Sequence, residues 1–299
     1  MSEPFTNYMR YVVAILGCAG GALINFVEYD SFYSGGLHPL FLEMVYYVAL
    51  IQFPIPTAIL AERTSAKSLM IVTMILKFAS LVLLETQQYV RESYSIAVII
   101  GRILQAYATA AFPPIMYLFI GRWSPPKDRG IMAMIIFSGL PIGSMFRLAP
   151  FFLWVIFQMR TFYVFGALAL LWIVLFWLLV EDHPEADHWV SQKERTIILE
   201  QLHRSEGEYL RKLQPFPFKE VFTSMPFWVL LAVHSGLEGA FTVLKLFPKS
   251  IETTEGGNFL TIILMIIFGS SVTCLVKRNK VNLTQARKST VAFRKYKIL

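Results

Sequence analysis

Long apolar runs alternate with short charged turns along most of this chain. Eight stretches stay apolar for about the 20 residues a helix needs to cross the hydrocarbon core of a bilayer. They are 11–28, 40–60, 68–85, 95–121, 130–157, 162–180, 226–248 and 258–276. The longest interruption, 181–225, divides six spans from two. It opens on Glu181-Asp182-His183-Pro184, a polar stop for the sixth span. Ser191-Gln192-Lys193-Glu194 then has capping-box spacing, in which the Ser hydroxyl and the Glu carboxylate each satisfy a free amide at a helix start. Ile197, Ile198, Leu199 and Leu202 follow at near-helical spacing, which predicts a surface helix over 192–206. Pro113, Pro114, Pro141 and Pro150 are expected to break or kink the spans that carry them.

The charges sort by side. With the N-terminus taken as cytoplasmic, 1–10, 61–67, 122–129, 181–225 and 277–299 share one side and hold twenty Lys and Arg. The opposite connections hold four: Arg91, Arg160, Lys245 and Lys249. Basic residues favour the cytoplasmic side, so both termini are expected there. The tail 277–299 is basic with no acidic residue and is expected to be a disordered stop-transfer segment. The sequon at Asn282 would face the cytoplasm.

Composition agrees. The chain is 56% hydrophobic, 16% charged and has a mean hydropathy of +0.55, which excludes an ordinary soluble domain. The net charge of +7 follows from the loops and tail and needs no nucleic-acid partner. Cys18 and Cys274 both fall within spans, so no disulfide framework is expected. No cleavable signal peptide or lipidation motif is evident. The fold expected is all-α and polytopic. Residues 1–180 form a six-helix bundle and 181–225 a cytoplasmic loop with a short helix. Residues 226–276 form two helices of an incomplete second bundle, and 277–299 the tail.

Three cations lie within spans: Lys77, Arg102 and Arg147. A guanidinium in lipid costs at least a few kcal/mol, about 2.5–3.5 on insertion scales, so such a residue usually faces a partner or a cavity. Arg102 sits in SIAVIIGRILQAYATAAFPPIMYLFIGRWSPPKDRG, residues 95–130. It is read as a midplane cation whose donor fork suits a carboxylate or phosphate; a structural ion pair is the plainer alternative. Lys77 and Arg147 are read as structural charges, Lys77 with the option of snorkelling. No phosphate-binding glycine loop or metal-ligand spacing is present, so neither enzyme chemistry nor a bound cofactor is expected.

Several motifs together resemble the anion-transporter family of the major facilitator superfamily that contains sodium–phosphate cotransporters, sialin and the vesicular glutamate transporters. They are Arg102-Ile-Leu-Gln105, Phe112-Pro-Pro114 and Trp123-Ser-Pro-Pro126-Lys-Asp-Arg129. To these are added PTAILAERTSAK at 56–67, Phe137-Ser-Gly139 with Gly143, Phe162-Tyr-Val-Phe165, the stretch Asp182 to Glu194, and Ser224-Met-Pro-Phe-Trp228 with His234 and Pro248. The resemblance covers about 10–270 and implies transport of a small phosphate-, sialate- or glutamate-like anion, with Na+ or H+ as coupling ion. It implies a bilayer as partner and leaves plasma and vesicular or lysosomal membranes open. It also implies substrate contact at Arg102, with Thr109 and Tyr117 at the other substrate positions of that span. There the chain departs from the pattern, because the family has titratable groups at those two positions. Loop contacts among Glu62, Arg63, Lys67, Asp128 and Arg129 would hold the inner side closed, Arg63 or Arg129 pairing with an acid. Glu238 and Glu28 are the candidates for ion coupling.

Other departures are the reversed charges of Glu28-Tyr29-Asp30 and the loop pairs Thr57-Ala58 and Ser65-Ala66 in place of glycines. Family members have about twelve spans, and eight are counted here. The alternative reading is therefore a truncated or diverged, non-transporting membrane protein that binds a partner or is inactive.

Overall fold

The computed structural model describes residues 8–26, 39–86, 95–125, 128–145, 161–206, 222–225, 227–229 and 232. Eight helices of ten residues or more are defined among them, with no strand. They are α1 (Met9–Phe26), α2 (Pro39–Gln52), α3 (Pro54–Arg63), α4 (Ala66–Thr86), α5 (Ser95–Trp123), α6 (Arg129–Met145), α7 (Thr161–Leu179) and α8 (Gln192–Glu206). The chain has an all-α membrane-transporter fold. Phe41–Arg63, Ala66–Leu84 and Ile96–Trp123 are each long and apolar enough to cross a membrane; α1, α6 and α7 contain shorter apolar helices. The expected spans over 226–248 and 258–276 lie almost wholly outside the described residues, as do Arg147, Pro150 and the tail.

Helix is the required form for these segments, because lipid offers no partner to a backbone amide. The second expected span is two helices. Pro54 lacks the N–H that would bond Leu50, so one bond is missing where α2 meets α3, while the Phe53 and Thr57 N–H groups still donate to the carbonyls of Ala49 (3.2 Å) and Phe53 (3.1 Å). Of the expected break or kink at Pro113 and Pro114, no break is seen: α5 runs continuously through both, and α6 runs through Pro141. The two prolines of α5 leave the carbonyls of Thr109 and Ala110 without their usual donors. Packing compensates, since α5 is the central helix and touches α1, α2, α3, α4 and α6. Phe112, Phe119 and Trp123 on α5 are fully buried in the main core, with Phe165 and Phe176 of α7 and Met70 and Met74 of α4.

The tightest pairing is α1 with α6. A Cβ placed on Gly139 would stand 2.0 Å from the Cys18 carbonyl oxygen, and one on Gly143 2.3 Å from that of Ala22. Only glycine allows these two backbones to meet. Trp172 of α7 closes the same region, its indole N–H donating to the Leu16 carbonyl (2.8 Å) and its ring stacking on Phe176. In lipid, tight packing and such bonds hold helices together, because apolar side chains gain little by leaving hydrocarbon.

Candidate functional site

Arg102 lies one turn beyond Val98 on α5. At 1.5 Å per residue it is about 10 Å into a helix of roughly 43 Å, in its first third. Its helix packs against α2, which begins at that same end, and this brings Glu43 within reach. Arg102 Nη2 stands 3.7 Å from Glu43 Oε1, and Nη1 donates to Gln105 Oε1 at 3.3 Å. The ion pair is longer than a charge-assisted hydrogen bond, about 2.7–2.9 Å, and is Coulombic. The partners differ in access: the Arg102 side chain is 4% exposed and that of Glu43 36%. Leu42, Leu84 and Val98 form a small dry cluster of their own beside the pair.

The structure does not gather the three expected substrate residues. Thr109 is about 10 Å along α5 from Arg102, and its hydroxyl donates to the Gln105 carbonyl at 3.1 Å. Tyr117 is about 22 Å along from Arg102, largely exposed, with its ring 4.9 Å from that of Phe137. No small anion spans that distance. Lys77 is fully buried and has not snorkelled. Glu28 and Glu238, the coupling candidates, lie outside the described residues.

At the opposite end of α5, charged loops make a connected lattice. Asp182, just past α7, accepts from the Lys67 N–H (2.9 Å) and the Ser65 hydroxyl (2.5 Å), and lies 3.5 Å from Arg122. It thus caps α4, where a carboxylate also meets the positive end of the helix dipole. Lys67 Nζ donates to Glu181 (2.8 Å), and the Trp123 indole N–H to the Glu181 carbonyl (3.1 Å). Asp128 pairs with Arg10 at 3.0 Å. Arg129 donates to the carbonyls of Ser124 and Gly121, and not to a carboxylate. Glu62 and Arg63 are exposed at the end of α3. Of the five loop residues expected to make charge contacts, Lys67 and Asp128 form ion pairs among the described residues, with Glu181 and Arg10. Both partners were absent from the expected set.

The Ser191 hydroxyl accepts the Glu194 N–H at 3.2 Å, as the capping-box spacing predicts. The Glu194 carboxylate also reaches α1 and accepts the backbone N–H groups of Met9 (3.3 Å) and Arg10 (3.4 Å). Burial raises the Glu194 pKa above the ordinary carboxylate value, against the lowering effect of those two bonds. Burial likewise raises Asp187, whose carboxylate accepts the Trp189 N–H and whose carbonyl accepts from Arg195. Signals for these contacts existed: acids directly after a span, and one in the first turn of a surface helix. The partners came from distant segments, so spacing could not name them.

The family model of the Major Facilitator Superfamily matches residues 33–281. The chain is similar to human sialin, 26% identical over 52% of this chain and 31% of the relative. It is 24% identical to the Drosophila melanogaster protein named "Putative inorganic phosphate cotransporter", over 50% of this chain and 30% of the relative. It is also 29% identical to Vesicular glutamate transporter 1 of Xenopus laevis, over 46% and 24%. The match thus spans about a third or less of the length of these relatives.

Proposed function

Because the chain belongs to the Major Facilitator Superfamily, we propose that it is a secondary-active transporter of a small organic or inorganic anion, working by alternating access with Arg102 as the anion contact. The observation that carries this reading is a guanidinium nearly closed off from the surface within an apolar span, beside Glu43 and Gln105. Its fork of donors matches a carboxylate or phosphate bidentately. The names of the relatives supply the anions to try: phosphate, sialate and glutamate.

The loop-end lattice fits this reading in a different way from a gate. Arg10–Asp128, Lys67–Glu181, Arg122–Asp182 and the Glu194 cap all lie within the first six spans and the loop after them. They stiffen one bundle, as rocking of rigid halves requires. For coupling to H+ or Na+, Thr109 offers no titratable group, so a carboxylate elsewhere must serve; Glu28 and Glu238 remain candidates.

The test is uptake of labelled phosphate, sialic acid and glutamate into proteoliposomes, by the wild type and by Arg102→Ala. A loss of about tenfold or more is expected, the cost of roughly 1.4 kcal/mol of lost anion binding. Equal uptake by the two proteins removes Arg102 from the mechanism.

A further inference from the structure

Charged groups gather where the loop after α7 packs on the start of α1. Arg10 pairs with Asp128 at 3.0 Å, and its backbone N–H and that of Met9 donate to Glu194. Arg195 donates to the Asp187 carbonyl at 2.7 Å, and the Trp189 N–H donates to the Asp187 carboxylate at 2.6 Å. Two acids of this group are shut away from water: Asp187 has no exposed surface and Glu194 has 4%. The other charges of the loop are matched or lie in water. Glu181 pairs with Lys67 and Asp182 with Arg122, while His183, Glu185, His188 and Lys193 are exposed. Arg10 is already paired with Asp128, so among the described groups Arg195 is left to face two buried acids. One negative charge is in excess, and a buried group without a counter-charge usually neutralises by taking up a proton.

We propose that Asp187 and Glu194 form a proton-binding site that holds one proton between them, and that this proton keeps α8 docked on the first bundle. The hydrogen bonds differ in a way that fits. Both oxygens of Glu194 are engaged, Oε2 by Met9 and Oε1 by Arg10. Asp187 Oδ1 accepts from Trp189, but Oδ2 is buried without a hydrogen-bond partner. An ionised carboxylate is acceptor-only, and a buried acceptor left unmet is destabilising. Burial raises the pKa of both acids, and the charge of Asp187 raises that of Glu194 further. The direction of the linkage follows. With the proton bound, the charges balance and α8 stays on Met9 and Arg10. As pH rises through the raised values the proton leaves, and docking weakens. Proton concentration on the loop side of the membrane thus sets how firmly the start of α1 is held. That helix is the one whose backbone meets α6 at Gly139 and Gly143. The proposal concerns the loop end alone and does not depend on Arg102 as the anion contact.

The test follows docking in the full chain in detergent, by amide-exchange protection factors of the 187–206 segment from about pH 4 to pH 8. Trp189 emission, taken as wild type minus Trp189→Phe, is the second reading. One proton limits the docking constant to about a tenfold change per pH unit, and the wild type is expected to lose protection toward that slope as pH rises. Glu194→Gln and Asp187→Asn each keep an acceptor oxygen and remove one acid, which balances the charges without a proton. Both are expected to be flat across the range. His188→Gln removes an exposed neighbour that titrates near neutral pH and should keep the wild-type slope. If each acid variant keeps about half of the slope, the two acids titrate independently and no proton is shared. A flat wild type means that no proton site is present, and loss of the slope in His188→Gln assigns it to the imidazole. Each of these three outcomes overturns the proposal. If one acid variant does not yield folded protein, the other variant and the Trp189 titration of the wild type decide in the same way.

Discussion

Glu194 caps α1 from the far side of the bundle, its carboxylate accepting the Arg10 backbone N–H at 3.4 Å across 184 residues of chain. The Met9 N–H joins the same carboxylate at 3.3 Å. One side chain thus ties the loop helix α8 to the first helix of the chain and meets two of the four amides that a helix start leaves unpaired. Glu194→Ala should cost about 1–3 kcal/mol, the penalty for leaving buried donors unmet. It should also expose the 187–206 segment to limited proteolysis. Unchanged proteolysis and an unchanged unfolding temperature would show that the cap does not hold the segment.

That docking should depend on pH with a definite sign. Burial raises the pKa values of Asp187 and Glu194 above their ordinary 3.8 and 4.5. A carboxyl whose docked pKa is raised holds its proton more tightly when docked. Its favourable contribution is therefore complete below the ordinary value and is lost as pH rises through the raised one. The Arg10–Asp128 pair adjoins Glu194, so the dependence has to be read as a difference. The wild type minus Glu194→Gln should show the segment better protected from amide exchange toward acid pH. A flat difference across pH 4 to 8 contradicts the assignment.

The close approach of α1 and α6 makes a graded prediction. Gly139→Ala puts a methyl 2.0 Å from a backbone oxygen, which a side-chain shift cannot relieve. Overpacking of this kind costs about 1–3 kcal/mol, or more where backbone must move. Gly121 of α5 is the control, since a Cβ there meets nothing within 4 Å. Gly121→Ala should leave thermal stability in detergent equal or slightly higher, because alanine is the better helix former. Equal loss in both variants would mean that neither glycine is there for packing.

Most of the helical frame was legible from apolar run length. The starts of α1, α4, α5, α6 and α7 fall within about two residues of the expected spans, and α8 has its expected range. That much follows from a single-segment property, the number of apolar residues between charges. Continuity at Pro113 and Pro114 was not legible, because the local rule allows either a break or a kink and the surrounding helices decide between them. Arg102 was legible as a buried cation, but Glu43 was only an acid early in the second span; their pairing depends on how α2 and α5 pack. The placement of Tyr117 was available in principle, since fifteen residues of helix separate it from Arg102. Asp182 and Glu194 were visible as a helix stop and a local cap. What they do is cap other helices, and that is set by the tertiary arrangement.

The loop end yields a prediction in which the expected gating residues and the observed lattice disagree. Glu62 and Arg63 were expected to make charge contacts, and both are exposed. Asp182 was expected only to end a span, yet it collects Ser65, the Lys67 amide and Arg122. Asp182→Ala removes the cap of α4 and the counter-charge of Arg122 together. A loss of about 1–3 kcal/mol in thermal unfolding is expected, in line with an unmet cap and an unmet charged donor. Asp182→Asn keeps acceptor capacity and should lose less. Glu62→Ala and Arg63→Ala should unfold with the wild type within experimental error, as substitutions at exposed sites usually do. If Glu62→Ala or Arg63→Ala instead loses anion uptake while Asp182→Asn retains it, the controlling contacts of this end lie with segments beyond the first bundle. The lattice around Asp182 would then be only a brace.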